Sequence, residues 1–446
     1  MLEIRYHFSS KGDSMKRYYN ETIDEEYFVE ELANGLKVFL YPKKDFYKNY
    51  AIFSTKYGSQ DLEFIPIHEK EFLKTPEGIA HFLEHKLFEN EDGTDASNLF
   101  AKTGADVNAF TTANQTAYLF SGTDSLYENV ELLINFVQEP CFKKESIDRE
   151  RGIIEQELLM YLDQPTSVQY FGALRGMYKK NAVRNEIGGS PESIQEINED
   201  LLYTCYNTFY HPSNMQIAIV GNFDVDKMVA MIQENQAKKQ FAAPSLIQRR
   251  YYLEDQTVNQ KSSFVEMDVN IPKVSVGIKL PHEDCSPLKT LKKNIALEII
   301  TDIYFDEASD NYEKLMDEEI INNSFSYDIY CEDTYGHLLF NLDTDQPEVF
   351  IEKITEVIQK IKNEKIDDET FYIYKRLYQA RNIKRFNSLE YIANLMIEFE
   401  QSNMNLFDLV EVTNQLTKED VEAVRTYFDE SAIASFTIYP KKEKEV

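Results

Sequence analysis

Two histidines and a glutamate share one stretch of helical character, GIAHFLEHKLFEN (Gly78–Asn90). His81 and His85 are four residues apart, so they sit on one helix face and their ring nitrogens can converge on a single ion. Two imidazoles suit Zn2+, which takes nitrogen and oxygen ligands tetrahedrally. Glu84 lies between them on nearly the same face. There it can take a proton from a water at the ion without being a ligand, which is the place of a general base. The spacing H-x-x-E-H is a zinc-hydrolase signature. The chain has seven histidines in 446 residues, so this arrangement is informative against its own composition.

Two histidines leave zinc short of a protein ligand. The best candidates lie in DRERGIIEQELLMYLD (148–163), where Ile153, Ile154, Leu158 and Leu159 mark a helix. Glu150 and Glu157 are seven apart, two turns, and share a face. Glu157, with Leu158 and Met160 beside it, is expected to be buried, and a buried carboxylate needs a partner such as a metal. Glu155 falls about 200° away from Glu157 around the helix and reads as a surface charge.

The elements that carry these residues form a pattern that occurs twice. Ile147-Asp148-Arg149-Glu150 opens a helix, and Ile366-Asp367-Asp368-Glu369 does so 219 residues later. INEDLLYTCYNTFYHP (197–212) resembles LTKEDVEAVRTYFDES (416–431): each has a polar cap and then an amphipathic helix. Each precedes a β-branched run, MQIAIVG (215–221) or AIASFTIYP (432–440), that reads as a buried strand. LKVFLYP (36–42) with YAIFSTKYG (50–58) reads as a hairpin, and SSFVEMDV (262–269) with KVSVGIKLP (273–281) repeats it. The predicted fold class is α+β, with two homologous domains, each a mainly antiparallel sheet packed with helices. The expected limits are 1–235 and 261–446, joined by an ordered linker at 236–260 that has a proline and little periodicity.

The formal charge of −30 opposes a nucleic-acid partner. It reads as a solubilising surface, or more specifically as an acidic cavity that attracts basic peptides. No apolar run approaches the ~20 residues of a membrane span. MLEIRYHFSSKGD at the start lacks the features of a signal peptide. Cys141, Cys205, Cys285 and Cys331 are far apart and read as buried free thiols, which implies a reducing, cytoplasmic setting.

With these motifs in place, the chain resembles the pitrilysin-type (inverzincin) zinc peptidases, a family that includes insulin-degrading enzyme and the mitochondrial processing peptidase. It is most similar to the short two-domain bacterial members. The resemblance implies zinc ligands at His81 and His85 and a catalytic base at Glu84. It makes Glu157 the third ligand and Glu150 a carboxylate that orients the site. GADVNAFT (104–111) matches the family segment after the zinc helix, which implies an exposed edge strand where substrate adds by main-chain pairing. Asn108, Ala109 and Phe110 are then substrate-binding residues. His211, in YHPSNM (210–215), is expected to be structural.

The second half departs from the zinc pattern. No histidine lies between His282 and His337, and Arg376 stands at the offset of Glu157, so a metal-free domain is expected. Active family members also carry an Arg and a Tyr seven apart in a metal-free domain. The matching segment here, YEKLMDEEIINNSFSYDIY (312–330), offers Met316 and Asn323 or Glu318 and Phe325. No arginine occurs between Arg250 and Arg376. The expectation is a zinc endopeptidase subunit for peptides or unfolded segments, completed by a second peptidase-like chain in a heterodimer. The alternative is a non-catalytic structural or peptide-binding subunit.

Overall fold

The computed structural model describes residues 15–441. The stretch MLEIRYHFSSKGD, read above for leader features, lies outside the described residues. By internal packing the chain forms two compact units. The first takes the residues through Glu155 with Ile187–Arg250 and Ile383–Phe407. The second takes Gln156–Glu186, Tyr251–Asn382 and the chain from Asp408 onward. Each unit therefore includes one segment that belongs, by sequence, to the other half.

In the first unit, β1 (Lys16–Asn20), β2 (Glu25–Glu31), β3 (Lys37–Pro42) and β4 (Asn49–Thr55) precede a small ribbon of β5 (Glu63–Phe64) and β6 (Leu73–Lys74). β7 (Asp106–Thr111), β8 (Thr116–Gly122) and β9 (Met215–Gly221) complete a seven-stranded sheet in the order β1-β2-β3-β9-β4-β8-β7. In the second unit, β10 (Ser262–Met267), β11 (Lys273–Lys279), β12 (Ser326–Cys331), β13 (Gly336–Asp343) and β14 (Ile433–Pro440) run in the order β10-β14-β11-β13-β12.

The second order repeats β3-β9-β4-β8-β7 strand for strand. The pairing senses match as well: β3 with β9 and β10 with β14 are parallel, and the other three pairs of each repeat are antiparallel. The duplication is thus a property of the topology. The hairpins expected from the sequence do not form, because the last strand of each repeat inserts between the two members. β9 and β4 are buried along their whole lengths. A strand apolar on both faces gains most from a central position, so β9 takes the middle of the sheet.

The helices of the first half are α1 (Ile79–Leu87), α2 (Ser97–Lys102), α3 (Leu126–Gln138), α4 (Lys144–Asp163), α5 (Pro165–Met177), α6 (Glu199–Phe209) and α7 (Val225–Ala237). Those that follow are α8 (Pro287–Phe305), α9 (Asp310–Asp317), α10 (Pro347–Asn363), α11 (Asp368–Arg385), α12 (Leu389–Gln401), α13 (Asp408–Gln415) and α14 (Lys418–Ala423). The polar caps read from the sequence are present: Asn198 accepts from Leu201 N at the start of α6, and Thr417 with Asp420 forms a capping box.

Packing explains the interleaved units. In the second unit α5 lies on β14 and β11. It approaches so closely that a Cβ at Gly172 would stand 2.4 Å from the Phe436 ring. In the first unit α12 lies on β9 and β4. Each sheet is covered by the helix that follows the other repeat's long helix.

The segment read as a linker is ordered. Arg249 Nε lies 2.9 Å from Asp61, and Arg250 pairs with Glu63 at 3.0 Å, within the first unit. Glu254 accepts from the backbone N–H groups of Lys179, Lys180 and Asn181 and from Lys279 Nζ, within the second. All four cysteines are free thiols, but Cys205 alone is fully buried. Cys141 and Cys285 sit in connections beside helix ends and Cys331 ends an edge strand, so packing covers them incompletely. No helix among the described residues is long and apolar enough to cross a membrane.

Candidate metal centre

The start of α1 is set by backbone geometry. Gly78, its N-cap, has φ 87°. A Cβ there would stand 2.1 Å from the carbonyl oxygen of Gly188, so both the left-handed backbone and the close approach require glycine. One face of α1 then buries Ile79, Ala80, Phe82, Leu83 and Leu87. This leaves His81 and His85 half-buried, with ring centroids 4.6 Å apart.

α4 carries the two glutamates on one unbroken helix. His85 Nδ1 lies 3.0 Å from Glu150 Oε1. Near Glu157, one ligand atom from each of His81, His85 and Glu157 lies within 4.8 Å of the others, the scale of a single coordination shell. The two glutamates, left open by helix periodicity, are thus placed differently: Glu150 against an imidazole nitrogen, Glu157 in the ligand cluster. Glu157 is half-buried, as is Glu155, while Met160 is 49% exposed. The apolar enclosure expected around Glu157 and the purely surface Glu155 are therefore corrected. α4 turns Ile153, Leu159 and Met160 outward, and Ile154 and Leu158 form its buried stripe.

The donor set fits zinc. Burial, and then the neighbouring charge of His85, lower the His81 pKa to about 3, so this imidazole is neutral and able to ligate near pH 7. A carboxylate at His85 Nδ1 favours the tautomer with the proton there, which leaves Nε2 as the donor toward an ion. Two imidazoles and one carboxylate are a catalytic-type zinc set that leaves a position open.

Glu84 is 8% exposed. Thr111 Oγ1 donates to Glu84 Oε2 at 2.5 Å. Behind it lie Thr116, whose hydroxyl donates to Tyr57 O at 2.8 Å, and the buried Tyr118–Tyr210 hydroxyl pair at 2.9 Å. Sequence reasoning gave Thr111 no role, although it ends the quoted GADVNAFT. Its signal was the alternation of β7, which points Thr111 to the opposite face from Phe110.

Asn108, Ala109 and Phe110 lie on β7, one of the two edge strands of its sheet. Asn108 is exposed, and Ala109 and Phe110 are half-buried. Asn108 Oδ1 accepts from Ala109 N at 2.9 Å. His211 bonds Ser213 and the carbonyl of Ala242.

Among the described residues the second repeat holds no such cluster of possible ligands. Arg376 holds its guanidinium over the Tyr372 ring, 5.8 Å from the centroid. Phe325 packs among Phe305, Tyr312, Tyr327 and Phe350, and Met316, Glu318 and Asn323 carry no phenol or guanidinium.

Comparison with known proteins decides the family. The family model described as Insulinase (Peptidase family M16) matches residues 73–190, and the one described as Peptidase M16 inactive domain matches residues 196–378. A Bacillus subtilis relative named uncharacterized zinc protease YmfH is 41% identical over 404 residues, 91% of this chain and 94% of the relative. The chain belongs to the M16 peptidase family. A solved M16-like peptidase structure from Alicyclobacillus acidocaldarius superimposes on this M16 chain with a TM-score of 0.90 at 32% identity, covering 94% of this chain and 99% of the other. A protease from Helicobacter pylori shares the fold, with a TM-score of 0.78 at 19% identity over 93% of this chain and 100% of the other. The zinc helix and both α4 glutamates thus fall within the peptidase model, and the inactive-domain model runs from the end of the first half into the second.

Proposed function

We propose that this M16 chain is the metal-bearing subunit of a zinc-dependent endopeptidase that cleaves peptides or unfolded segments. The observation that carries the reading is the convergence of His81, His85 and Glu157, with Glu84 beside them and held by Thr111. The name of the Bacillus subtilis relative supports zinc and proteolysis.

Zinc, when bound by His81, His85 and Glu157, supplies Lewis acidity toward a peptide carbonyl and makes water easier to deprotonate. Glu84 then serves as base: a carboxylate oxygen accepts the proton of the attacking water and later delivers it to the leaving amine nitrogen. Glu150 keeps the proton of His85 on Nδ1. The edge of β7 offers main-chain donors and acceptors to an extended substrate at Asn108, Ala109 and Phe110. Thr111 links this strand to the base. Thr111→Val is expected to lower kcat on the order of 10-fold, the worth of one hydrogen bond to a charged group, while KM and zinc content hold and Thr111→Ser recovers most of the rate. Unchanged kcat in a folded Thr111→Val chain removes this role.

The Arg and Tyr of active relatives have no equivalent in residues 312–330, so we assign the missing stabilisation of the oxyanion to a second peptidase-like chain in a heterodimer. One such donor is worth about 10²–10³ in rate. The purified chain alone is therefore expected to cut peptides weakly and to gain about that factor when the partner is added. Full activity as a monomer or homodimer overturns the heterodimer. The four free thiols favour a reducing compartment, and we place the protein in the cytoplasm.

The alternative, a structural or peptide-binding subunit, draws on the lack of the Arg/Tyr pair. Peptide cleavage that requires Glu84 rules it out.

A further inference from the structure

The zinc helix contains a charge that the mechanism does not use. Lys86, directly after His85, has no exposed side-chain surface. A buried ammonium is retained only with a close partner, because removing it from water is costly. Its Nζ lies 2.5 Å from Glu89 Oε2, just past the end of α1. Glu89 is itself mostly covered and reaches across to α4: Arg149 Nη2 lies 3.2 Å from the same oxygen. Burial opposes the Glu89 charge, yet Lys86, Arg149 and the Ser146 hydroxyl together hold its carboxyl below the usual range. A second tie runs alongside, from Lys143 Nζ to the carbonyl of Glu91 at 2.6 Å.

These contacts lie at a mechanical junction. Arg149 and Ser146 belong to the first turns of α4, and Glu150, the next residue, holds His85. Seven residues on, the same rigid helix places Glu157. The depth and rotation of α4 against α1 therefore set whether Glu157 reaches the two imidazoles. An apolar contact would leave that register free to slide, whereas a buried charge pair tolerates little displacement.

We propose that Glu89 is a positioning residue for the metal centre: paired with buried Lys86 and bonded to Arg149, it locks α4 against the zinc helix in the register that brings Glu157 to His81 and His85. The proposal rests on the zinc reading above. It assigns Glu89 no contact with substrate or metal.

The test is zinc affinity of the full chain, measured by titrating zinc against a chromophoric chelator, with the melting temperature of the metal-free chain followed in parallel. Glu89→Gln keeps the volume of Glu89 and removes its charge. It is expected to weaken zinc about 10–100-fold, as loss of an orienting partner does. Its metal-free melting temperature is expected to fall, since Lys86 is left buried without a counter-charge. The double variant Lys86→Met/Glu89→Leu removes both charges and keeps the packing. Its melting temperature is expected to return toward that of the parent, because buried ion pairs are replaceable by apolar residues, while its zinc affinity stays weak. This split separates positioning from stability. Affinity that recovers together with stability in the double variant, or parental affinity in a folded Glu89→Gln chain, overturns the proposal and leaves the zinc reading intact. A parental chain that takes no zinc overturns the zinc reading itself.

Discussion

Glu84→Gln is expected to leave the chain folded and zinc-loaded while lowering peptide turnover by about 10²–10⁴-fold, the usual contribution of a positioned base. Glutamine has the same shape, and its amide oxygen can still accept the Thr111 hydroxyl that now donates to Oε2. The change removes only the ability to take and return a proton. Stability should hold, because Glu84 is 8% exposed and a neutral amide is no harder to bury than a carboxylate. Three measurements decide the matter: turnover of a fluorogenic peptide, zinc content by metal analysis, and thermal melting. Unreduced turnover with zinc retained removes Glu84 from the base role. Loss of zinc would instead mean that Glu84 is a ligand.

The second large effect is on the metal. The parental chain should carry about one zinc, and His85→Ala should carry none and cut nothing, because two protein ligands remain where a catalytic site uses three. His85 also holds Glu150 at 3.0 Å, so this change disrupts the site twice. The glutamates give a finer test, since they are assigned unequal roles. Glu150→Gln should cost about 10–100-fold in zinc affinity, as for an orienting carboxylate, and Glu157→Gln should cost more. Equal losses, or the reverse order, would contradict the placement of Glu157 in the ligand cluster. Both residues lie on the partly exposed face of α4, so neither change is expected to unfold the chain.

How much of this was legible beforehand follows from the range over which each feature is specified. His81, Glu84 and His85 are related by helix periodicity alone, so their common face could be read from three letters and a spacing. The duplication was legible for a similar reason: caps, helices and apolar strands recur in order, and each is a local signal. Strand order was not. The patterns of β3 and β4 fit a hairpin, and only competition for the doubly buried centre of the sheet places β9 between them. The exposure of Met160 and of three cysteines likewise depends on what packs beside them, which no spacing records.

The sequence by itself determined the zinc-type motif, the α+β class and the repeat, because these arise from residues within a few positions of each other. Periodicity left open which glutamate joins the imidazoles, and the folded chain brings Glu157 there, as the resemblance implied; tertiary structure alone decided that Thr111 bonds the base, that Lys86 is buried against Glu89, and that α5 and α12 each cover the sheet of the other repeat. Those outcomes join residues that are mostly far apart in the chain. They are selected by burial, close packing and the pairing of desolvated charges, which exist only once the whole chain has folded.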